Sequence, residues 1–359
     1  MRRLLTAAVL LLWAPVLALA APETPYAPET VIQTVGLSEG AQAALEALYP
    51  AVRDCEEQID LPAGTRYDDV NAAMQSLSRN YPELFHLENT WTIAYRQDVP
   101  EYATQLIPGY TMSAGTYETA LEQLLNAARE MVSGTAGEQA DRAEALHDLL
   151  CDRARYDESE YDEADNTAIG ALLQGVTRCE GYAGGLALLY RMAGIPCGVV
   201  VGEGSDGETV SRHAWNVAVI DGQATLIDAT WDDQEGSGNT HWYYGLTDWM
   251  MAADHRPDPD MTVPACTSLM ANWHARRGLL VSDEAGVYGA LRRLAQEGVV
   301  SIRFAGEELY RDFIDRSNGW LEDYNAQAGP GETFYGYYII IFSDAQHCVR
   351  LNRGEESLP

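Results

Sequence analysis

The feature that most limits what this chain can fold into is the run from Arg212 to Asp233, where two strand-like segments, HAWNVAVI and QATLIDAT, flank Asp221-Gly222. Asp-Gly between β-patterned runs favours a two-residue hairpin turn, because both central residues of that turn need positive φ. A two-residue loop sets Ile220 opposite Gln223. Counting back from there sets His213 opposite Thr230 and Asp228 opposite Trp215. His213 and Asp228 then share a face as diagonal neighbours, roughly 7–8 Å apart at the backbone and within reach of a histidine–carboxylate hydrogen bond. A three-residue loop would send them to opposite faces.

Upstream, Cys179 follows a Gly-containing loop and opens the apolar run GYAGGLALLYRMA. Leu186, Leu189, Tyr190 and Ala193 recur at helical spacing, and Gly194 with Pro196 supplies the stop. Cys179 therefore stands at or near a helix N-terminus, where unpaired N–H groups and the helix dipole favour a thiolate. Together the three residues form a possible relay: Cys179 as nucleophile, His213 as base, Asp228 as the carboxylate that fixes the tautomer.

The blocks that carry these residues, Cys179-Glu180-Gly181-Tyr182-Ala183, His213-Ala214-Trp215-Asn216 and Asp228-Ala229-Thr230-Trp231-Asp232-Asp233, resemble the core of bacterial secreted transglutaminase-like proteins. The continuation Trp242-Tyr243-Tyr244 through Asp248 to Asp254-His255-Arg256 is also similar to that family, and Pro82-Glu83-Leu84-Phe85 resembles its usual N-terminal region. The resemblance is strongest over residues 140–256. It implies an α+β fold with a papain-like, transglutaminase-like core, in which a helix carrying the cysteine packs on an antiparallel sheet carrying the histidine and aspartate. It implies Cys179, His213 and Asp228 as the catalytic triad.

Around the triad, the Cys179 backbone N–H is expected to contribute to an oxyanion hole, with Gln174 a candidate for the second donor. Trp215 and Trp231 are candidate cleft walls, core packing being the alternative. Metals find little support. The chain has no Cys-x-x-Cys pair, and its acidic groups, Asp232 with Asp233 or Asp254 with Asp258 and Asp260, follow no twelve-residue calcium-loop pattern. No metal and no cofactor is expected.

Met1–Ala20 reads as a signal peptide: Arg2 and Arg3, an apolar run, then Ala18-Leu19-Ala20 as the cleavage site. The mature protein is expected to be secreted, without a membrane anchor. Acidic residues outnumber basic ones 54 to 23, for a formal charge of −31. Such a charge argues against nucleic acid and anionic membranes as partners. All the basic residues are arginine, so an enzyme joining acyl groups to lysine could not cross-link itself through its own side chains. Six cysteines in an exported chain invite disulfides, with Cys55–Cys151 and Cys266–Cys348 as possible pairs and Cys197 as a buried thiol.

The chain divides into an N-terminal α+β region (21–135), the core (136–257) and a C-terminal α+β domain (258–359). Helices are expected from Ser38 to Cys55 (Ser38 the cap), Tyr67–Asn80, Tyr117–Val132, Asp141–Tyr156, Ser282–Glu297 (Ser282 the cap) and Gly306–Tyr324. Strands are expected at Trp91–Gln97, Tyr102–Tyr110, Val299–Phe304 and Thr333–Phe342. The reaction is read first as hydrolysis of a peptide or side-chain amide in an extracellular or cell-envelope polypeptide. A protein-glutamine transglutaminase using an amine acceptor is the second reading, and a non-catalytic binding module the third.

Overall fold

The computed structural model describes residues 24–157, 166–234 and 238–354, so the leader-like Met1–Ala20 lies outside them. Ser38 caps helix α1 (Glu39–Arg53), its side chain accepting from the Ala41 N–H at 3.0 Å. Helix α2 (Tyr67–Asn80) packs against it, and Leu45, Leu48 and Val52 share a core with Val70, Met74 and Leu77. A short strand β1 (Ile59–Asp60) joins the antiparallel ribbon β2 (Leu87–Arg96) and β3 (Val99–Tyr110).

Helices α3 (Ala114–Ser133) and α4 (Gln139–Arg153) lead to α5 (Cys179–Met192). Every residue of α5 from Gly181 to Arg191 is buried, as expected of a helix apolar on all sides. At its start, a Cβ on Gly181 would fall 1.8 Å from Thr177 Oγ1, so only glycine lets the helix rest directly on the preceding segment. The other face of α5 covers a five-stranded antiparallel sheet. Its strands are β4 (Cys197–Ser205), β5 (Val210–Ile220), β6 (Gln223–Ile227), β7 (Tyr244–Leu246) and β8 (His255–Pro257), in the order β7-β6-β5-β4-β8.

Asp221 and Gly222 both take positive φ, 49° and 74°, and Ile220 pairs with Gln223. The expected register holds as far as Asn216 opposite Ile227 and then stops. Asp228 does not continue the ladder opposite Trp215. It is the N-cap of the short helix α6 (Ala229–Asp232), its carboxylate accepting from the Thr230 N–H at 2.9 Å and the Trp231 N–H at 3.3 Å. An aspartate with free amides ahead of it caps more readily than it extends a strand.

The C-terminal part is a second sheet, β9 (Leu280–Val281), β10 (Val299–Phe304), β11 (Tyr337–Ser343) and β12 (Cys348–Arg353), in the order β9-β10-β12-β11. Helices α7 (Glu284–Glu297), α8 (Glu307–Asp315) and α9 (Ser317–Gln327) share its core. Three expectations are corrected here. Asp283 rather than Ser282 caps α7, accepting from the Gly286 N–H at 2.9 Å. The helix expected over Gly306–Tyr324 breaks at Arg316 into α8 and α9. The aromatic strand begins at Tyr337, with Phe334 buried in the core and Tyr335 at the surface.

All six cysteines are free thiols. The Cys151 thiol faces the Ala229 carbonyl at 3.6 Å, in the core built around α5, while Cys55 sits just past the end of α1. Cys266 and Cys348 do share one apolar cluster, but their thiols turn to the Pro264 and Gln346 carbonyls, each at 3.3 Å. Cys197 is fully buried, as expected.

One buried polar network ties the N-terminal region to α5. Glu83, within Pro82–Leu84, accepts from the Tyr26 hydroxyl at 2.7 Å and the Tyr49 hydroxyl at 2.9 Å. Arg191 reaches Tyr26 at 3.2 Å and the Cys197 carbonyl at 2.9 Å. Removing the carboxylate would leave buried hydroxyls and a guanidinium short of a counter-charge. Glu83→Ala is expected to lower stability by roughly 3–5 kcal/mol, read from urea denaturation of the whole chain.

Candidate functional site

The site lies where the N-terminus of α5, strand β5 and the start of α6 meet. Asn216 on β5 locks strand to helix, its side-chain amide donating to the Ala183 carbonyl on α5 at 2.9 Å and to the Gly198 carbonyl at 3.3 Å. Cys179 is partly exposed, whereas His213 and Asp228 are buried. His213 Nε2 lies 2.7 Å from Asp228 Oδ2, and the Cys179 thiol interacts with the same imidazole. Gly204 makes room for this pair: a Cβ there would stand 3.0 Å from the Trp231 ring and 3.3 Å from His213.

Both oxygens of Asp228 are committed. Oδ1 takes the two amides of α6, and Oδ2 takes His213 and also His255 Nε2 at 3.1 Å. His255 Nδ1 in turn bonds Asp254 Oδ1 at 2.7 Å, and Asp254 Oδ2 accepts from the Tyr243 hydroxyl at 2.8 Å and the Gln346 amide at 2.9 Å. Gln346 belongs to the turn between β11 and β12, so the line of hydrogen bonds runs from Cys179 into the C-terminal sheet.

Burial alone would lower the pKa of His213, but the Asp228 carboxylate, helped by Cys179, raises it to about 10. Burial would likewise raise that of Asp228, but His213 and then His255 hold the carboxyl well below the usual range. The raised pKa favours the imidazolium form of His213 at neutral pH, bonded to the Asp228 carboxylate.

His213 and Trp231 open on a cleft of about 1330 Å³. Tyr156, Asp157 and residues of the Gly204–Thr209 turn line it, as do Ile341 to Ala345 at the end of β11 and in the turn that follows. Of the aromatic candidates, Trp231 faces the cleft, while Trp215 is 1% exposed and packs edge-on to His255 at 5.0 Å. Gln174 is exposed, at the end of the Gly170–Gln174 turn, and is not among the residues lining the cleft. In the sequence, His255 and Asp254 stand out only through the family-like Asp254-His255-Arg256 block, which assigns neither a role at the triad, and nothing local marks Gln346 or Tyr156.

Residues 126–231 match the transglutaminase-like superfamily. Over 109 residues the chain is 32% identical to the kyphoscoliosis peptidase of Homo sapiens, and equally to that of Mus musculus, a match covering 27% of this chain and 16% of the length of each relative. Among solved structures, a TGase aligns over 50% of this chain and 51% of its own at 16% identity, with a TM-score of 0.27. The periplasmic domain of TgpA from Pseudomonas aeruginosa aligns over 37% and 55% at 20% identity, with a TM-score of 0.25.

The linked titrations give a pH signature. The raised His213 pKa stabilises the fold fully below the ordinary imidazole value of about 6.5, a contribution lost as pH climbs toward about 10. The lowered Asp228 pKa stabilises it above the ordinary carboxylate value of about 3.9, a contribution lost on acidification. Asp228→Asn is therefore expected to bring the His213 midpoint, followed by NMR, down toward about 6.5. Its stability penalty should be greatest near pH 5–6 and shrink by pH 10; a penalty flat across that range would contradict the assignment.

Proposed function

We propose, from the premise that residues 126–231 form a transglutaminase-like domain, that this protein is a cysteine-dependent acyl-transfer enzyme with Cys179, His213 and Asp228 as its triad. The observation that carries this is the 2.7 Å bond from His213 to a buried Asp228, with a partly exposed thiol at the N-terminus of α5 on the same imidazole. Cys179 Sγ, its proton already passed to His213, attacks the carbonyl carbon of an amide as a thiolate. The His213 imidazolium gives its proton to the departing amine, leaving a thioester on Cys179 and a neutral imidazole. Water then attacks the thioester while His213 accepts its proton, releasing the acid and restoring the thiolate–imidazolium pair. The Cys179 backbone N–H supplies one oxyanion donor. Tyr156, which lines the cleft and interacts with Cys179, joins Gln174 as a candidate for another.

Hydrolysis of a peptide or side-chain amide is the favoured outcome, because water needs no dedicated acceptor site to resolve the thioester. A protein-glutamine transglutaminase uses the same residues and differs only in an amine replacing water. The substrate we propose is an extracellular or cell-envelope polypeptide, on the leader-like Met1–Ala20. Among the described residues no helix is long and apolar enough to cross a membrane.

Thiol reactivity tests the triad directly. Burial pushes Cys151 up to about 11 and Cys197, Cys266 and Cys348 up to about 12. Iodoacetamide on the native, unreduced protein is expected to label Cys179 first by peptide mapping. His213→Ala should slow that labelling and cut amide turnover by about 10²–10⁴-fold. Cys179 that labels no faster than Cys55, or is untouched by the histidine substitution, would leave only the binding-module reading. Incubation with a glutamine-rich protein and a fluorescent amine separates the two reactions: hydrolysis gives fragments or deamidation without label, and incorporated label selects the transglutaminase.

A further inference from the structure

On the far side of α6 from the triad, a second histidine–carboxylate cluster remains unused by the proposed chemistry. His147 and Asp148 come from α4, and Asn239 and His241 from the segment leading into β7. His147 Nδ1 lies 3.1 Å from Asp148 Oδ1, and His241 Nε2 lies 2.8 Å from the same oxygen. The Asn239 amide nitrogen is 2.6 Å from that oxygen and 3.3 Å from each of the two ring nitrogens.

The other nitrogen of His147, Nε2, sits 3.2 Å from Oδ2 of the fully buried Asp232. A hydrogen on Nε2 for that carboxylate leaves Nδ1 of a neutral ring as a bare lone pair, pointed at an Asp148 oxygen that is itself an acceptor. The two hydrogens of the Asn239 amide serve at most two of the three atoms it faces, and His241 Nε2 offers Asp148 a hydrogen in one tautomer and a bare lone pair in the other. In the second tautomer two imidazole nitrogens and a carboxylate oxygen present lone pairs to one point, with the Asp232 carboxylate close by.

We propose that His147 Nδ1, Asp148 Oδ1 and His241 Nε2 bind a divalent transition-metal ion of the zinc type, with water or the Asn239 side chain in the fourth position. Donors about 2.0–2.1 Å from a tetrahedral ion stand about 3.3–3.4 Å from one another, a few tenths of an ångström beyond the 3.1 and 2.8 Å that separate Asp148 Oδ1 from the two ring nitrogens here. Asp232 behind His147 completes the carboxylate–histidine–metal arrangement that fixes a ligand's tautomer. His147 is fully buried, His241 nearly so and stacked on Trp273 at 4.6 Å, while Asp148 is partly exposed and gives the ion a way in. Asp232 also accepts from the Thr240 hydroxyl and the Tyr243 N–H, at 3.1 and 2.8 Å. Binding would therefore clamp α4 to the segment that follows Asp228, a structural role outside the acyl-transfer step.

The test uses chelator-stripped whole protein titrated with Zn²⁺ alone, and with Co²⁺ for its visible absorption. One equivalent is expected to bind, raise the melting temperature and give the strong bands of four-coordinate cobalt. His241→Ala and Asp148→Asn, checked for folding by circular dichroism, should each weaken binding by about a hundredfold or more. His213→Ala should leave it intact, which matters because His213, Asp228 and His255 also bring donor atoms together. No binding by the folded wild-type protein would mean that the hydrogens of His147, His241 and Asn239 hold the cluster together unaided, and would overturn the proposal. Binding lost in His213→Ala but kept in His241→Ala would place the ion at the triad and overturn it equally.

Discussion

Much of this structure depends on how one buried carboxylate is used. Asp228 has no exposure to solvent, so each of its lone pairs needs a partner. One oxygen ends the β-ladder by capping α6, and the other collects two imidazoles. The cap fixes where the chain turns, and the turn decides where the carboxylate points. Losing the cap would therefore disturb the histidine geometry as well as the fold. A buried charge with only one partner would cost several kcal/mol; with two amides and two histidines the desolvation is offset.

The same carboxylate makes the C-terminal sheet part of the site. His255 transmits the constraint from Asp228 to Asp254, and Asp254 accepts from Gln346. Arg303 of β10 holds Gln346 through its carbonyl at 3.1 Å and its side chain at 3.0 Å, and also donates to the Trp242 carbonyl. The end of β11 and the turn after it, Ile341 to Ala345, line the cleft. A domain whose sequence gave no hint of catalysis thus contributes to both the support and the shape of the site.

Burial also accounts for the cysteines. Four of the six thiols are buried, each facing a backbone carbonyl or a neighbouring side chain rather than another sulfur. Six cysteines in one chain invite disulfides, but pairing needs Cα atoms within about 7 Å and converging Cβ vectors, which spacing along the chain does not report. Cys179 differs from those four in being partly exposed at the head of a helix, the property the sequence did signal.

What the sequence determined by itself was whatever local rules govern. Asp221-Gly222 set the hairpin register because only a few residues tolerate positive φ twice in succession. Ser38 marked a helix start because its hydroxyl can take an orphan N–H, and the apolar run after Cys179 could only be a buried helix. These rules brought Cys179, His213 and Asp228 together in outline. The tertiary structure decided what depends on residues distant along the chain. The ladder gave way to a cap at Asp228, His255 joined the carboxylate from 27 residues away, and Gln346 reached Asp254 across 92. His241 met Asp148 across 93 residues, and Gln174 ended on the surface. Such contacts follow from how separate elements pack, and no period or turn signal within one element encodes them.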